Sequence, residues 1–284
     1  MTSSDYKKNQ FKRVAALINM SVDRVAFIIG NIEDFYREKS EKKIDKKTGD
    51  FKCYKDGTLK IRTIHPSQGE LKLAQQRLKN RFFAGIPLPH NVHGGIRKKS
   101  NITNSKTHQG NKYILATDLQ EFYPSISSKM VYDCLLSLGN NSHVASQITK
   151  LVTYRHKVPQ GAPTSTHVSN VVFLKTDLLL IDFCKKHGIT YTRYVDDLTF
   201  SSQQDFRHLI AQILGIVLSG GFKLSFRKTL YSNEQTITGI EVFLNKIDAP
   251  LKIIERALTE IDMPIKPVTN YLESIRRTNN KIWR

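Results

Sequence analysis

The stretch Tyr191-Thr192-Arg193-Tyr194-Val195-Asp196-Asp197-Leu198-Thr199-Phe200-Ser201 sets two adjacent aspartates inside an apolar, β-branched and aromatic run. Such a run reads as strand, tight turn, strand: a hairpin. In a straight strand neighbouring side chains point to opposite faces. At a hairpin turn both carboxylates can reach one side. Two carboxylates that close repel, and burying them is costly unless a cation lies between them. The economical cation is Mg²⁺, which takes oxygen ligands and keeps room for substrate phosphates. The plainer reading is an Asp-Asp turn on a solvated hairpin, and strand residues on both sides weigh against it.

A third carboxylate extends the pattern. Upstream, Lys112–Ile126 ("KYILATDLQEFYPSI") is an apolar strand ending in Asp118, followed by a turn with aromatics and a proline. Asp118 and Asp196 would meet as ends of adjacent strands in one sheet. Three aspartates on two strands can hold two Mg²⁺ about 4 Å apart, the arrangement that catalyses in-line phosphoryl transfer.

These residues resemble motifs of the reverse transcriptases. Asp118 in "ATDLQEFYPSI", Gln160-Gly161-Ala162-Pro163-Thr164-Ser165 and "YTRYVDDLTFS" are similar to three catalytic motifs, in the family's order. "GFKLSFRKT" (Gly221–Thr229) and "ITG" (Ile237–Gly239) resemble two that follow. Asn104-Ser105-Lys106-Thr107-His108 resembles the Asn-Ala-x-x-His signature of the bacterial retron branch, with Ser105 in place of alanine. The likeness runs from about Tyr54 to Gly239. Val195 is bulkier than the alanine commonest in retron enzymes, and Thr166 stands where many relatives have proline.

The resemblance implies roles. Asp118, Asp196 and Asp197 would be the catalytic acids and would ligate two Mg²⁺. Arg62 in "IRTIHPS" matches the family's fingers arginine, and Lys55 a lysine seven residues earlier. Tyr123 lies at the position of the family's aromatic steric gate, with the adjacent Phe122 as competitor. Gln160 would support template and incoming nucleotide. Lys228 would neutralise or protonate the leaving pyrophosphate; an ordinary surface lysine is the alternative.

Composition agrees with such a partner. The chain has 284 residues, 39% hydrophobic, with a formal net charge of +19 and a pI near 9.8. That charge favours polyanions: nucleic acid first, an anionic membrane surface second. No apolar run approaches the roughly 20 residues that span a bilayer, and no signal-peptide pattern opens the chain. We therefore expect a cytoplasmic protein with no membrane partner. Cys53, Cys134 and Cys184 are odd in number and lack metal spacing, so they read as reduced thiols.

In order, residues 5–39 read as helices, with Ser21 capping the second. Arg37–Lys47 is a charge run, read as a solvated face or loop. Phe51–Ile64 reads as a hairpin turning at Asp56-Gly57, and Glu70–Phe83 as a basic amphipathic helix. Ile86–Gly110 has the composition of a loop. Its Arg97, Lys98, Lys99 and Lys106 suit phosphate and sugar contacts. With Asn104 and His108 of the retron-like signature, and Arg276 and Arg277 of the basic C-terminal end, they form the expected RNA-binding set. Ser127–Ser137 and Ser142–Tyr154 read as helices, Gln160–Phe173 as a Gly-Pro turn opening a helix that continues to Lys186. Asp205–Gly220 reads as a helix, Gly221–Leu230 as a strand, and the residues after Gly239 as a strand followed by helices at about Leu251–Ile261 and Val268–Asn279.

The expected fold is α+β, a right-hand polymerase: a helical region over 1–50, fingers over 51–110, a palm with a small antiparallel sheet over 111–239 (finger helices inserted about 127–158), and a short helical thumb over 240–284. So short a thumb puts long synthesis in doubt and leaves no room for a ribonuclease H or maturase region. The expected function is RNA-directed DNA polymerisation of retron type in anti-phage defence. A structured noncoding RNA would serve as template and, through an internal 2′-OH, as primer; its cDNA, dNTPs and an effector protein would be the other partners. The assembly state is not legible. Alternatives are another defence-associated reverse transcriptase with different priming, a catalytically silent nucleic-acid scaffold, and a metal nuclease.

Overall fold

The computed structural model describes residues 3–43, 51, 53, 56–233, 236–260 and 263–280. Lys55 lies outside them. The elements, in chain order, are helices α1 (Ser3–Ile18) and α2 (Val22–Gly30), strands β1 (Lys39–Lys42) and β2 (Ile61–Ile64), helices α3 (Gly69–Arg81) and α4 (Asn101–Thr107), and strand β3 (Tyr113–Asp118). The short helix α5 (Phe122–Ser125) follows, then α6 (Ser128–Ser137), α7 (Ser142–Val152) and α8 (Ser165–Lys186). Strands β4 (Thr190–Tyr194) and β5 (Asp197–Ser202), helix α9 (Ile210–Ser219), strands β6 (Leu230–Ser232), β7 (Thr236–Ile237), β8 (Ile240–Val242) and β9 (Ile247–Asp248), and helices α10 (Leu251–Leu258) and α11 (Pro267–Arg277) complete the chain. No described helix is long and apolar enough to cross a membrane.

The chain divides into two units: Met1–Pro87 with Tyr123–Val172, and Leu88–Phe122 with Phe173–Arg284. In the first, α1, α2, α3 and α7 bury Val14, Ile18, Val25, Ile28, Leu71, Leu78, Ile148 and Leu151 against one another. Each such side chain contributes about 1.5–3 kcal/mol of hydrophobic stabilisation. Ser21 caps α2 as the sequence predicts, its Oγ accepting from the Arg24 amide; Ser127 does the same for α6.

One expectation in this unit is corrected and another is kept. The charge run is not all loop: Lys39–Lys42 is a strand, antiparallel to β2, with Glu41 opposite Arg62. All four of its residues are exposed, so no apolar alternation announced it. The expected hairpin survives as a bridge between Cys53 and Leu59, with Thr58 bonded to the Asp56 carboxylate at the turn.

In the second unit an antiparallel sheet runs β4-β5-β3-β6. Strands β4 and β5 are buried on both faces: Tyr191, Leu198 and Phe200 are enclosed, and so are Thr192, Thr199 and Ser201, with Leu115 buried on β3. A three-stranded sheet β7-β8-β9 with α10 and α11 encloses a second cluster, including Ile237, Ile240, Val242, Ile247, Leu272 and Ile275. The C-terminal region is thus a small α+β layer, strand first and then two helices as the sequence reads. Within the supposed loop 86–110, α4 is a true helix with a reciprocal cap between Ser100 and Thr103. Gly221–Leu230 is not one strand: Leu224 bridges Leu119, residues 226–228 form a 3₁₀ turn, and the strand begins at Leu230. The architecture is α+β with antiparallel sheets, as expected.

Candidate active site

The two acid-bearing strands are neighbours. β3 pairs with β5 so that Asp118 lies directly opposite Asp197. Residues so paired share one face of the sheet, with Cβ atoms about 4.5–5.5 Å apart. β4 and β5 pair down to Tyr194 opposite Asp197, which leaves Val195 and Asp196 as a two-residue turn. The Leu119 amide donates to the Asp196 carbonyl at 2.9 Å, and the Ser225 amide to the Asp118 carbonyl at 2.8 Å. Backbone bonds therefore fix where all three aspartates start.

The turn is strained. Val195 has φ +60°, and Asp196 does not share a positive φ. Positive φ at the first position alone is the pattern that normally takes glycine, and it is unfavourable for a β-branched residue. A Cβ on Gly94 would run into the Val195 backbone nitrogen and the Tyr194 carbonyl carbon. The chain can pass behind the turn there only as glycine.

Among the described residues, no three His, Cys, Asp or Glu side chains are gathered closely enough to form a metal cage. The Asp118 carboxylate is drawn instead to the Lys228 ammonium, 2.7 Å away. The donor set itself, three carboxylates of hard oxygen on adjoining strand ends, fits Mg²⁺. Lys228 sits on the 3₁₀ turn rather than in a strand, and it touches a candidate metal ligand directly.

The nucleotide-binding candidates of the other unit are placed as follows. Arg62 is exposed on β2. The Gln160 carbonyl accepts from the His65 amide at 2.7 Å, so the Gln160-Gly161 turn is pinned to the end of the strand that carries Arg62. Gly161 has φ +103°, and a Cβ added there would lie 3.6 Å from the Ile64 Cβ. Tyr123 is half-buried, and its hydroxyl meets the Thr166 hydroxyl at 3.1 Å. Phe122 is buried in the second unit, edge-on to Phe173 and tilted against Phe222. A ring buried there cannot lie under a sugar, which removes it as a competitor.

The RNA-binding set divides. Arg97 and Lys98 are exposed. Lys99 is half-buried, its ammonium bound to the His90 and Val92 carbonyls, and burial holds its pKa below the ordinary lysine value. Lys106 is half-buried, 3.5 Å from the Asn279 amide oxygen. Arg276 and Arg277 are exposed and paired with Asp248 and Glu273. Asn104 and His108 must be withdrawn as direct contacts, because both are wholly buried. His108 bridges the Ser201 hydroxyl at 2.6 Å and the Thr192 hydroxyl at 2.7 Å. It ties α4 to β4 and β5.

Sequence reasoning missed Arg193 and Asp177. They form a salt bridge with no exposure on either side chain. The available signal was a lone arginine inside an apolar strand.

The comparisons with known proteins bear on this geometry. The family described as "Reverse transcriptase (RNA-dependent DNA polymerase)" matches residues 44–242. The retron Ec86 reverse transcriptase of Escherichia coli is 32% identical over 195 residues, 66% of this chain and 60% of that protein. The retron Se72 reverse transcriptase of Salmonella heidelberg is 31% identical over 193 residues, 68% and 48% of the two chains. The retron Mx162 reverse transcriptase of Myxococcus xanthus is 30% identical over 228 residues, 69% and 47%. The chain spans about half to three-fifths of the length of these curated relatives. With the family's description matched across both acid-bearing strands and the turn that leads into β5, this chain belongs to the reverse transcriptase family, on the side of its retron members.

Proposed function

We propose that the protein is an RNA-directed DNA polymerase of retron type, copying part of a cognate noncoding RNA into single-stranded DNA in anti-phage defence. The observation that carries the chemistry is Asp118 opposite Asp197 across β3 and β5, with Asp196 in the adjoining turn. That pairing concentrates negative charge where a primer 3′-hydroxyl and a dNTP must be brought together. Asp118, Asp196 and Asp197 would hold two Mg²⁺. Bound there, the ions would lower the pKa of the primer hydroxyl and offset charge on the triphosphate.

The chain's own residues supply the rest. Arg62 offers a planar fork of donors suited to phosphate oxygens. Gln160 and Gly161, pinned beside Ile64 and His65, would seat the nascent base pair, since glycine lets backbone approach closely. Tyr123, held by Thr166, would sit under the sugar and exclude a 2′-OH. Lys228 would trade Asp118 for the leaving pyrophosphate. We assign Met1–Pro87 with Tyr123–Val172 chiefly to fingers, the four-stranded sheet to the palm and 240–284 to a thumb. Arg97, Lys98, Arg276 and Arg277 are exposed cations fit for phosphate contacts, which give affinity without sequence choice.

Labelled primer–template with dNTPs tests the reaction: extension supports it, and degradation or no change overturns it. The RNA partner is tested separately, by treating co-purified nucleic acid with ribonuclease and then deoxyribonuclease on denaturing gels. A discrete species shortened by either enzyme, leaving a defined DNA after the first, is expected. Random host RNA from the native locus would leave a generic reverse transcriptase.

A further inference from the structure

Arg193 heads the fully buried side chains by size. Its Nε donates to Asp177 Oδ1 at 3.0 Å and its Nη2 to Oδ2 at 2.6 Å. The Tyr191 hydroxyl donates to the same Asp177 Oδ1 at 2.8 Å. The guanidinium lies 4.7 Å from the centre of the Phe173 ring. Stability alone gives no reason to bury this pair. Taking two charges out of water is costly, and apolar groups of similar volume usually fill such a site as well.

One contact distinguishes Arg193 from a filler. Its Nη1 donates to the Val195 carbonyl at 3.0 Å. Val195 is the strained turn residue at φ +60°. The peptide groups of Arg193 are fixed too: its amide donates to the Asn91 carbonyl at 2.9 Å, and its carbonyl accepts from the His93 amide at 2.8 Å. Gly94 follows at once, where no side chain fits against Val195. A charged fork anchored in the core therefore reaches the back of the turn that carries Asp196.

We propose that Arg193, oriented by Asp177, is a positioning residue that holds the strained Val195–Asp196 turn so that Asp196 and Asp197 keep their places beside Asp118. This deepens the polymerase reading and rests on it for its consequence in catalysis. The local claim, that the turn relaxes without Arg193, stands apart from that reading.

The test replaces the pair while sparing the core. Arg193→Met with Asp177→Asn removes both charges and leaves an acceptor for the Tyr191 hydroxyl. Arg193→Lys keeps the charge, but one ammonium cannot span both Asp177 and the Val195 carbonyl. Three readouts are taken: hydrogen exchange of the 191–201 peptide without metal, Mn²⁺ affinity by electron paramagnetic resonance, and Mg²⁺ half-saturation of primer extension. We expect the double variant to unfold cooperatively near the wild-type temperature and to exchange faster at the turn. Its Mn²⁺ affinity should fall by about 10-fold or more, the usual cost of losing a partner behind a ligand, with the Mg²⁺ requirement rising in step. Wild-type exchange and Mn²⁺ affinity in the double variant overturn the proposal. If that variant does not fold, Arg193→Lys decides on the same readouts. A wild-type protein that extends no primer overturns the polymerase reading, while exchange and Mn²⁺ affinity still decide this one.

Discussion

The hydroxyl of Ser105 donates to the carbonyl oxygen of Ile237 at 2.7 Å, across 132 residues of sequence. It also meets the Thr238 hydroxyl at 3.1 Å, and Asn101 donates to the Thr238 carbonyl and to the Tyr271 hydroxyl. The two stretches that resemble retron signatures, "NSKTH" and "ITG", are thus partners in one buried joint. Ser105 has no exposed surface, and it stands where the signature has alanine. Its hydroxyl is an addition to the joint.

Ser105→Ala should therefore fold and cost about 1 kcal/mol, the net value of a typical hydrogen bond. Ser105→Val should cost more, because its extra methyl enters a filled site. Urea unfolding measures both. A valine variant as stable as the wild type would show that the joint is loosely packed.

The acids come next. Asp196→Asn and Asp197→Asn should abolish nucleotide addition while leaving RNA retention and the melting temperature near wild type. The reason is local: both lie at the turn end of a hairpin that is held together by its backbone ladder. Near-normal extension by both variants would remove them from catalysis.

Sugar choice should depend on Tyr123 and its support. Tyr123→Ala is expected to lower the ratio of kcat/KM for dNTP over NTP. Thr166→Val should move the ratio the same way by a smaller amount, since it removes one contact to the Tyr123 hydroxyl. Phe122→Ala should instead destabilise by about 3–5 kcal/mol, as large-to-small core changes do, because Phe122 is buried among Phe173 and Phe222. An unchanged ratio in Tyr123→Ala would move the gate elsewhere.

What the sequence revealed followed from apolar period. Strands β3, β4 and β5 are runs of apolar, aromatic and β-branched residues, so Asp118 could be placed at a strand end and the Asp196-Asp197 pair at a hairpin turn from the sequence. Helix caps at Ser21 and Ser127 were legible because a side-chain oxygen precedes the run. Strand β1 was hidden because Lys39–Lys42 is exposed on every residue. Helix α4 was hidden because its buried face is polar, Asn104 and Ser105 with His108 at its end; Ser105 bonds to Ile237 and His108 to Ser201 and Thr192 rather than packing against apolar groups. Partners so distant in sequence leave no local pattern. The Arg193–Asp177 pair was invisible for the same reason: its meaning lies in a contact with helix α8.

The buried histidines make stability depend on pH. His108 is wholly enclosed, and burial first, then the neighbouring His93, pushes its pKa down to about 3. His93 is lowered to about 4, by burial first and then by Lys99 and His90. Unfolded, both titrate at about 6.5. Between those values the unfolded chain binds the extra proton, so the folded state is favoured above pH 6.5 and loses that advantage as pH falls. The slope is about 1.4 kcal/mol per pH unit for each such histidine. Urea midpoints taken from pH 7 to pH 5, where ordinary carboxylates are still ionised, should fall steeply. In His108→Gln the amide can still donate and accept between Ser201 and Thr192, so the variant should fold, with lower stability at pH 7 and a shallower fall toward pH 5. An identical slope in His108→Gln and wild type would mean that His108 takes up its proton without unfolding, contrary to its enclosure between two hydroxyls.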